Sequence, residues 1–565
     1  DGDYFTIEYI DAIVVDATTF YNGAGNSNVP NTTDGCYKLL VKNTADGTLS
    51  LTENADVREV EIEASGKLVV NTDIRLQVSN EINNNGEIRL IGTSQLLQTH
   101  TGVSQITGTG DLYKDQASVN TDVYQSGYWT SPVTTNGTTF TIDGVLKDGT
   151  TPTSATSIPI PITFTDIHTL DGSLGPPLEI SGRWLAKLIN ATDWTREISP
   201  TAITFNPGEG WNMKGLGANF TFKGIANDGD YTSSIDQNML SLIGNPYPSG
   251  LDATQFINDN VEGSANSAIV GTLYFWEGGD GETHERGNYS GGYATRTLVG
   301  GTAFNSKIPS QYIGVGQSFF VWRSEAGTGT IQFKNSQRVF QILGGDNEFF
   351  GKGITKKETT DMIPKLRFGF EFVVDAEKIF HRQLLIAFMG LTNDYDNGYD
   401  GEMFDRQPTD IALKTNDWPS DFVITAIEDF NEDLEIPLSI YLDQKRDVTF
   451  KIDSLENLTT KVYLKDTMTN MYYNLTENNA SVTLEIDSGN YLDRFFIVFK
   501  EDATMSTEDE SITNDFIVYF DKNNNEIIVS SSNDLALNSM EINNFLGQKI
   551  VKKTYNFNER KKDII

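Results

Sequence analysis

A short strand pattern led by glycine returns at nearly constant spacing near the start of the chain. It reads GTLSL at 47–51, GKLVV at 66–70 and GEIRL at 86–90, so that its glycines are 19 and 20 residues apart. We interpret GTGDL at 108–112 as a degenerate fourth copy. Units that cannot bury their own apolar face, repeated in series, are typical of stacked rungs. The pattern predicts a short β-helix or β-roll over 35–117, and the alternative is an ordinary meander with coincidental glycines.

The remaining chain is also predicted to be β-structure, which makes the fold class all-β. Fifty glycines among 565 residues indicate many turns between short strands, and the length is enough for several domains. Aromatic strand patterns such as GTLYFWEGG and YIGVGQSFFVW predict a β-sandwich over 118–345. Alternating strands such as KLRFGFEFVV predict a second sandwich over 346–500, and residues 1–34 form a separate N-terminal segment.

The charge of the chain limits its partners. A net charge of −36 argues against nucleic-acid binding, which needs a basic face, and supplies many oxygen ligands for calcium. The sequence has no run of eighteen apolar residues, so no transmembrane segment is predicted. It also has no initiating Met and no signal peptide, which suits a processed and exported protein.

The end of the chain differs in charge from the rest. Residues 501–513, EDATMSTEDESIT, contain five acidic and no basic residues and are predicted to be a linker. Residues 514–565 contain seven acidic and seven basic residues, so this part carries none of the net charge. Strand patterns resume here, and we expect a small module that stops without a closing strand.

This last module resembles the C-terminal sorting domain of proteins that Bacteroidota export through the type IX secretion system. The resemblance lies in a strand-turn-strand pattern at FIVYFDKNNNEIIVSS, followed by MEINNFLGQKI, whose matching positions include Ile542, Leu546, Gly547, Gln548 and Lys549. The turn is Asn-rich where family members have Pro-Asn-Pro, and the expected last strand is missing. The resemblance implies an incomplete Ig-like sorting domain at 514–565. Its implied partners are the translocon and the outer-membrane shuttle or attachment proteins.

Phrases elsewhere, such as GYWTSPV, LIGNPYPSGLDA and TNDYDNGYDG, are similar to those of large flavobacterial surface proteins of the same export class. This similarity implies an extracellular or cell-surface location and does not imply an enzyme.

An acidic loop is the candidate metal site. NDYDNGYDGEMFD places Asp394, Asp396 and Asp400 around Gly398, and carboxylates spaced in this way can converge on one calcium ion. The loop is not an EF-hand, and a solvated acidic turn is the alternative interpretation.

The other candidates are weaker. Four scattered histidines have no zinc-ligand spacing, and no catalytic motif is visible. The polar loop around His284, with Glu282, Glu285 and Arg286, could form a binding rim or an acid/base pair, but a surface loop closed by glycines is the favoured interpretation. Tryptophans in sandwich strands are usually core residues rather than sugar platforms, and we apply this to Trp129, Trp211, Trp276 and Trp322. Cys36 is predicted to be a buried apolar residue.

These features predict a non-catalytic adhesin or structural surface protein. The alternative is a secreted protein that binds glycans or degrades polysaccharides, because two catalytic carboxylates can meet only in the folded structure.

Overall fold

The structure is a computed structural model of the whole chain. The part of the chain that it describes comprises residues 12–16, 19–21, 29–42, 48–117, 124–149, 158–165, 172–190, 193–214, 217–235, 240–278, 291–325, 327–342, 362–375, 378–477, 481–501, 516–521, 526–531, 539–543, 549–554 and 563–564. The chain divides into two compact units, Asp1–Lys500 and Glu501–Ile565. The division falls where the predicted linker begins, and residues 502–513 of that linker lie outside the described part.

The first unit begins with a β-solenoid. Its strands are β1 (Ala12–Asp16), β2 (Thr19–Tyr21), β3 (Lys38–Val41), β4 (Thr48–Leu51), β5 (Ala55–Val57), β6 (Glu59–Ile62), β7 (Lys67–Val70), β8 (Arg75–Val78), β9 (Ile82–Asn84), β10 (Glu87–Leu90), β11 (Gln95–Gln98), β12 (Ile106–Thr107) and β13 (Asp111–Ala117). Parallel pairing stacks them into three sheets: β1-β3-β6-β9-β12, β4-β7-β10-β13 and β5-β8-β11. The predicted stacked rungs are confirmed.

The interior of the solenoid is a set of apolar stacks in strict register. Leu49, Leu68, Ile88 and Leu112 occupy successive rungs as direct partners, and all four are at least 98% buried. Side chains alternate along each strand, so the residues on either side of Leu49 in β4 are exposed. Burial of these stacked aliphatic side chains stabilises each rung against its neighbours.

The repeated glycine is required where successive rungs approach each other. A Cβ atom on Gly86 would lie 2.2 Å from the carbonyl oxygen of Gly66, and one on Gly110 would lie 2.3 Å from that of Gly86. No side chain can be accommodated at such distances without moving the backbone. The spacing of about twenty residues between these glycines in the sequence is therefore the number of residues in one rung.

The solenoid continues into the following segment without a break in its sheet or core. This segment contains β14 (Ser126–Trp129), β15 (Val133–Thr134), α1 (Ile142–Val145), β16 (Leu146–Asp148), β17 (Ile160–Pro161), β18 (Thr163–Thr165), β19 (Glu179–Ser181), β20 (Ala186–Asn190), β21 (Asp193–Arg196), β22 (Trp211–Lys214) and β23 (Asn219–Ala226). Strand β13 pairs antiparallel with β23, and one hydrophobic core extends from Leu39 to Ala226. The predicted boundary between residues 117 and 118 thus separates segments that share one sheet and one core.

A five-stranded sheet follows, in the order β25-β31-β27-β28-β29. The elements of this part are β24 (Tyr231–Ser234), β25 (Leu240–Gly244), β26 (Gly250–Asp252), α2 (Ala253–Asn260), β27 (Ile269–Gly278), β28 (Gly291–Thr297), β29 (Gly300–Thr302), β30 (Tyr312–Ile313), β31 (Ser318–Arg323), β32 (Thr330–Phe333) and β33 (Arg338–Val339). Asp252 caps the N-terminus of α2, because its side chain accepts hydrogen bonds from two backbone amides of the first turn. The helix packs its buried face against this sheet. The predicted boundary at 345–346 lies outside the described residues.

A buried polar cluster ties this part to the solenoid. Asp228 accepts hydrogen bonds from His100 Nε2 (2.8 Å) and Asn335 Nδ2 (3.0 Å), and Arg338 Nη1 lies 3.6 Å away. Arg338 also donates to the carbonyl oxygen of Leu96 in β11 at 2.6 Å. Burial lowers the pKa of Arg338 to about 10, although the charge of Asp228 opposes this shift.

The remainder of the first unit is an eleven-stranded sheet around its own core. Its strands are β34 (Lys365–Asp375), β35 (Lys378–Phe388), β36 (Gly401–Glu402), β37 (Asp410–Leu413), β38 (Phe422–Ile427), β39 (Glu435–Leu442), β40 (Arg446–Glu456), β41 (Tyr463–Asp466), β42 (Met471–Asn474), β43 (Ser481–Ile486) and β44 (Gly489–Val498). The fold is therefore all-β, with a solenoid followed by sandwich-like sheets, as predicted. Among the described residues, no helix is long and apolar enough to cross a membrane.

The second unit consists of short antiparallel strands: β45 (Phe516–Asp521), β46 (Glu526–Ser531), β47 (Ser539–Asn543), β48 (Lys549–Thr554) and β49 (Asp563–Ile564). Strand β45 pairs with β46, and β47 pairs with β48. The expectation that no closing strand follows is wrong, because β49 pairs antiparallel with β46 through Ile564 and Ile528. Its two residues are too few to produce a recognisable strand pattern in the sequence.

The prediction for Cys36 is also wrong. The residue is exposed, in a turn that precedes β3. Alternation within β3 buries Leu39 and Val41 instead, and Cys36 lies before that alternation begins.

Candidate functional site

The five-stranded sheet has one face that is rich in aromatic residues. Because side chains alternate along a strand, Leu273 and Phe275 of β27 face the core beneath α2, whereas Tyr274 and Trp276 face the opposite side. Strand β31 contributes Phe320 and Trp322 to this opposite side in the same way. Four further aromatic rings pack against this face. We call the whole group the aromatic belt; it consists of Tyr128, Trp194, Tyr274, Trp276, Tyr293, Phe320, Trp322 and Phe404.

The rings of the belt form a continuous path of contacts. Trp194 stacks on Tyr128 with ring centroids 5.7 Å apart and planes inclined by 22°. Tyr128 is 6.3 Å from Trp276, which makes an edge contact with Tyr293 at 5.3 Å. The path continues from Tyr293 to Phe404 at 4.7 Å.

The path ends at Trp322, whose ring centroid is 6.4 Å from that of Phe404. It begins at β21 of the neighbouring sheet and returns through the segment after β36 to β31. Rings also contact each other across the path, because Phe320 lies against Tyr128, Trp194 and Tyr293, so the belt is a compact cluster.

Elements outside the sheet contribute three rings of the belt. Trp194 comes from β21 and Tyr128 from β14, both strands of a neighbouring four-stranded sheet. Phe404 comes from the segment after β36 and packs edge-on against Tyr274 at 4.6 Å. Residues distant in sequence therefore complete the belt, which a strand-by-strand reading of the sequence could not predict.

The belt is only partly covered. Tyr274 and Phe320 are buried at its base, with 2% and 3% of their surface exposed, whereas the other six side chains are half-buried. Half-buried rings that pack on each other are rigid and still present apolar surface to solvent. Such surfaces can stack on the apolar faces of a ligand.

Two carboxylates lie near the base of the belt. Burial raises the pKa of Tyr274 and Tyr293, and the carboxylates of Glu402 and Asp405 raise that of Tyr274 further. Asp405 Oδ2 accepts a hydrogen bond from the backbone amide of Tyr293 (2.6 Å) and lies 3.5 Å from Nη1 of the buried Arg382. Its carboxylate is thus engaged within the protein.

The tryptophan predictions divide into two pairs. Trp129 and Trp211 are at least 99% buried, so their assignment to the core is confirmed. Trp276 and Trp322 are half-buried members of the belt, so their assignment to the core is wrong. Adjacent aromatic residues do not separate the two pairs, because the buried Trp129 has Tyr128 beside it just as Trp276 has Phe275.

The acidic loop packs between two sheets of the first unit. Asp400 is fully buried, and its carboxylate accepts hydrogen bonds from the amides of Asp396 (2.6 Å) and Ala426 (2.8 Å). Burial raises the pKa of Asp400 to about 7. The structure joins Asp396 and Asp400 through the hydrogen bond of the Asp396 amide, whereas Asp394 is exposed and acts on Asp396 through its charge. Within the described residues, no group of three or more His, Cys, Asp or Glu side chains is arranged to hold a metal ion.

The same loop contains unpaired oxygen atoms. Among the described residues, four buried oxygens in and beside it lack a hydrogen-bond partner: Asn393 Oδ1, Asp396 Oδ2, Asn397 Oδ1 and Thr415 Oγ1. Buried acceptors are normally paired with a donor, a water molecule or an ion. Calcium binding by this loop stays a prediction, with amide and hydroxyl oxygens as additional candidate ligands.

A family model described as "Domain of unknown function (DUF8693)" matches residues 181–499. The chain belongs to this family. No curated protein and no solved structure matches the chain.

The DUF8693 region contains most of the candidate site. Of the belt residues, all except Tyr128 lie within 181–499, and so does the acidic loop. The sorting motif lies outside the DUF8693 region. Of its residues, Ile542 is in β47 and Lys549 begins β48, whereas Leu546, Gly547 and Gln548 lie outside the described residues, as does the loop around His284.

Proposed function

We propose that this protein is a non-catalytic adhesin that binds glycans through the aromatic belt. The observation that carries the proposal is a continuous path of packed aromatic rings, six of them half-buried, on one face of a rigid sheet. Sugar rings have apolar faces that stack on aromatic side chains, while their hydroxyl groups stay hydrated.

The surroundings of the belt favour binding over hydrolysis. A glycosidase needs two carboxyl groups placed on either side of the scissile bond, one of which donates a proton. Of the two carboxylates beside the belt, Glu402 and Asp405, Asp405 is instead engaged by the Tyr293 amide and by Arg382. This arrangement suits a structural carboxylate that positions Tyr293 and the neighbouring Phe404.

We also propose that residues 514–565 act as a type IX sorting domain and that the protein is displayed on the cell surface or released. Two observations support this proposal. The chain divides into two compact units after Lys500, and the MEINNFLGQK stretch matches the sorting pattern. The proposed partners are the translocon and its shuttle or attachment proteins.

The glycan-binding proposal is tested on a glycan array with the purified full chain and with the variants Trp276→Ala and Trp322→Ala. We expect the intact protein to bind a defined set of glycans and each variant to lose about tenfold or more in affinity, as is typical of a central aromatic contact. The matched control is Trp418→Ala, because Trp418 is 40% exposed and stacks on Tyr395 outside the belt.

A reducing-sugar assay on every bound glycan tests the non-catalytic part of the proposal, and release of reducing ends would contradict it. Equal binding by Trp276→Ala, Trp322→Ala and the intact chain would contradict the assignment of the belt.

The sorting proposal is tested by fusing residues 501–565 to a fluorescent protein in a bacterium with a type IX system. We expect the fusion to leave the cell, and a matched fusion without residues 540–549 to remain in the periplasm. Retention of both, while a known sorting signal is exported, would contradict the proposal.

A further inference from the structure

We infer that Arg382, in the core of the eleven-stranded sheet, is a positioning residue for the aromatic belt and thereby affects the affinity of the belt for glycans. This inference rests on the proposed glycan-binding function and adds the residue that places two of the rings. Arg382 lies in β35, a strand that contributes no ring to the belt. It acts through Asp405 and the segment that joins β36 to β37.

The segment between β36 and β37 brings Phe404 to the belt. It is anchored at both ends in the eleven-stranded sheet, because β36 pairs with β38 and β37 pairs with β39. Between these anchors, the ring of Phe404 packs edge-on against Tyr274 at 4.6 Å and lies 4.7 Å from the ring of Tyr293. The position of the segment therefore determines how Phe404 meets the belt.

Asp405 joins this segment to β28. Its Oδ2 atom accepts a hydrogen bond from the backbone amide of Tyr293 at 2.6 Å. Its backbone carbonyl oxygen accepts another from Gln407 Nε2 at 2.7 Å. The residue that follows Phe404 thus holds the backbone of Tyr293, so that both rings depend on the position of Asp405.

Arg382 holds the Asp405 carboxylate from the core. Its Nε and Nη2 atoms donate to the two carboxylate oxygens of Asp410 at 2.9 and 2.7 Å, and both side chains are fully buried. This bidentate contact fixes the plane of the guanidinium group, and Nη1 lies 3.5 Å from Asp405 Oδ2. Burial alone would lower the pKa of Arg382, but the charges of Asp405 and Asp410 outweigh burial and raise it. Both carboxylates therefore act on one fixed cation.

The charge balance of this group explains why the contact matters for the belt. Without Arg382, Asp405 and Asp410 would be like charges in a largely buried site, and a buried charge that loses its partner is strongly destabilising. The Asp405 side chain is 10% exposed, whereas that of Asp410 is fully buried, so Asp405 is the one that can turn towards solvent. Its movement would release the Tyr293 amide and displace Phe404.

The test compares the full chain with the variants Arg382→Lys and Asp405→Asn. Arg382→Lys keeps the charge but loses the bidentate contact, and Asp405→Asn can still accept from the Tyr293 amide but no longer attracts Arg382. The matched control is Asp466→Asn, because Asp466 makes a bidentate contact with Arg494 (2.9 and 2.8 Å) elsewhere in the same sheet.

Each protein is titrated on the immobilised glycans of the array, and its tryptophans are replaced by 5-fluorotryptophan for fluorine NMR. We expect Arg382→Lys and Asp405→Asn to bind the glycans at least about threefold more weakly, as is typical when a coupled residue outside a site is changed. The fluorine signals of Trp276 and Trp322 should shift in both variants, whereas the signal of the buried Trp211 should not. Asp466→Asn should leave the affinity and these signals unchanged. If Arg382→Lys does not fold, Asp405→Asn decides the test.

The other outcomes overturn the inference in distinguishable ways. Affinities and fluorine signals like those of the intact chain would contradict it, and so would an equal loss of affinity in Asp466→Asn. Shifted signals with unchanged affinity would also contradict it, while the proposed function would stand if Trp276→Ala still weakens binding. Absence of glycan binding by the intact chain would overturn the proposed function, and the signals of Trp276 and Trp322 would then decide whether Arg382 positions the rings.

Discussion

The hydroxyl groups of Tyr128 and Tyr293 lie 3.0 Å apart and join two sheets at the centre of the aromatic belt. Tyr128 belongs to β14 and Tyr293 to β28, which are separated by more than 160 residues of chain. Burial raises the pKa of both phenols, so both hydroxyl groups stay protonated and one donates to the other. This bond fixes the position of the outer rings relative to the sheet that carries the belt.

The Tyr128–Tyr293 bond should appear as a coupling in a double-mutant cycle. We expect Tyr128→Phe and Tyr293→Phe each to lower the free energy of unfolding, because each leaves a partly buried hydroxyl group unpaired. The double variant should cost less than the sum of the two, with a coupling of about 1 kcal/mol measured by chemical denaturation. Strictly additive effects would show that the two hydroxyl groups do not interact in solution.

The register of the solenoid rungs predicts that the effect of a substitution on the stability of the protein depends strongly on whether the position is interior or exposed. Leu68→Asp and Ile88→Asp would each place a carboxylate between stacked rungs, at positions that are at most 2% exposed. Burial of an unpaired charge is among the most destabilising changes known, so we expect loss of several kcal/mol or failure to fold. Ser50→Asp, at an exposed position of β4, is the matched control. Thermal unfolding that is the same for all three variants would contradict the rung register.

Sequence alone could predict the solenoid because one physical constraint repeats there. Gly66 and Gly86 are needed for the close approach of rungs, and Leu68 and Ile88 for the interior, so both recur with the same period. The period reveals only one of the three sheets, since the strands of the other two have no glycine that marks them.

The aromatic belt could not be predicted in the same way. Trp276 could occupy either face of its strand according to sequence alone, because Phe275 beside it is also aromatic. The packing of Trp194 and Phe404 depends on contacts between distant strands. Similarly, the expectation for Cys36 came from residue type, whereas its exposure is decided by its position before β3.

Calcium binding by the acidic loop predicts a stability that depends on calcium. If calcium bridges the unpaired oxygens around Asp396, it should raise the melting temperature of the intact chain, by an amount equivalent to about 2.7 kcal/mol at a hundredfold excess over Kd. Asp396→Ala should abolish the shift, whereas Asp433→Asn, which removes a carboxylate that is 82% exposed, should not. Melting curves that are identical in calcium and in excess chelator would contradict the prediction.

The lowered pKa of Asp453 predicts how the stability of the folded chain changes at acidic pH. Asp453 accepts hydrogen bonds from His381 Nε2 (3.1 Å) and Gln383 Nε2 (2.7 Å). Burial alone would raise the pKa of Asp453, but these hydrogen bonds outweigh it and hold the pKa below its usual value. Ionised Asp453 therefore stabilises the folded state fully at pH values above the usual carboxyl pKa of about 4. This stabilisation is lost as the pH falls through the lower pKa that Asp453 has in the folded state.

Asp453→Asn tests this pH dependence. Denaturation midpoints should differ most between the intact chain and the variant near neutral pH, and the difference should shrink as the pH falls below about 4. The comparison variant is Asp447→Asn, which removes an exposed carboxylate from the same strand. A difference that grows towards acid pH would have the wrong sign for a lowered pKa.

The central claim is that the belt is the glycan-binding surface, and calorimetry of the belt variants against the glycan that binds best on the array tests it most directly. The account predicts that Trp276→Ala and Trp322→Ala each raise Kd by about tenfold, that the double variant binds too weakly to measure, and that Trp418→Ala binds like the intact chain. Near-UV circular dichroism of each variant checks that the fold is retained. Unchanged affinity of the folded double variant would contradict the account.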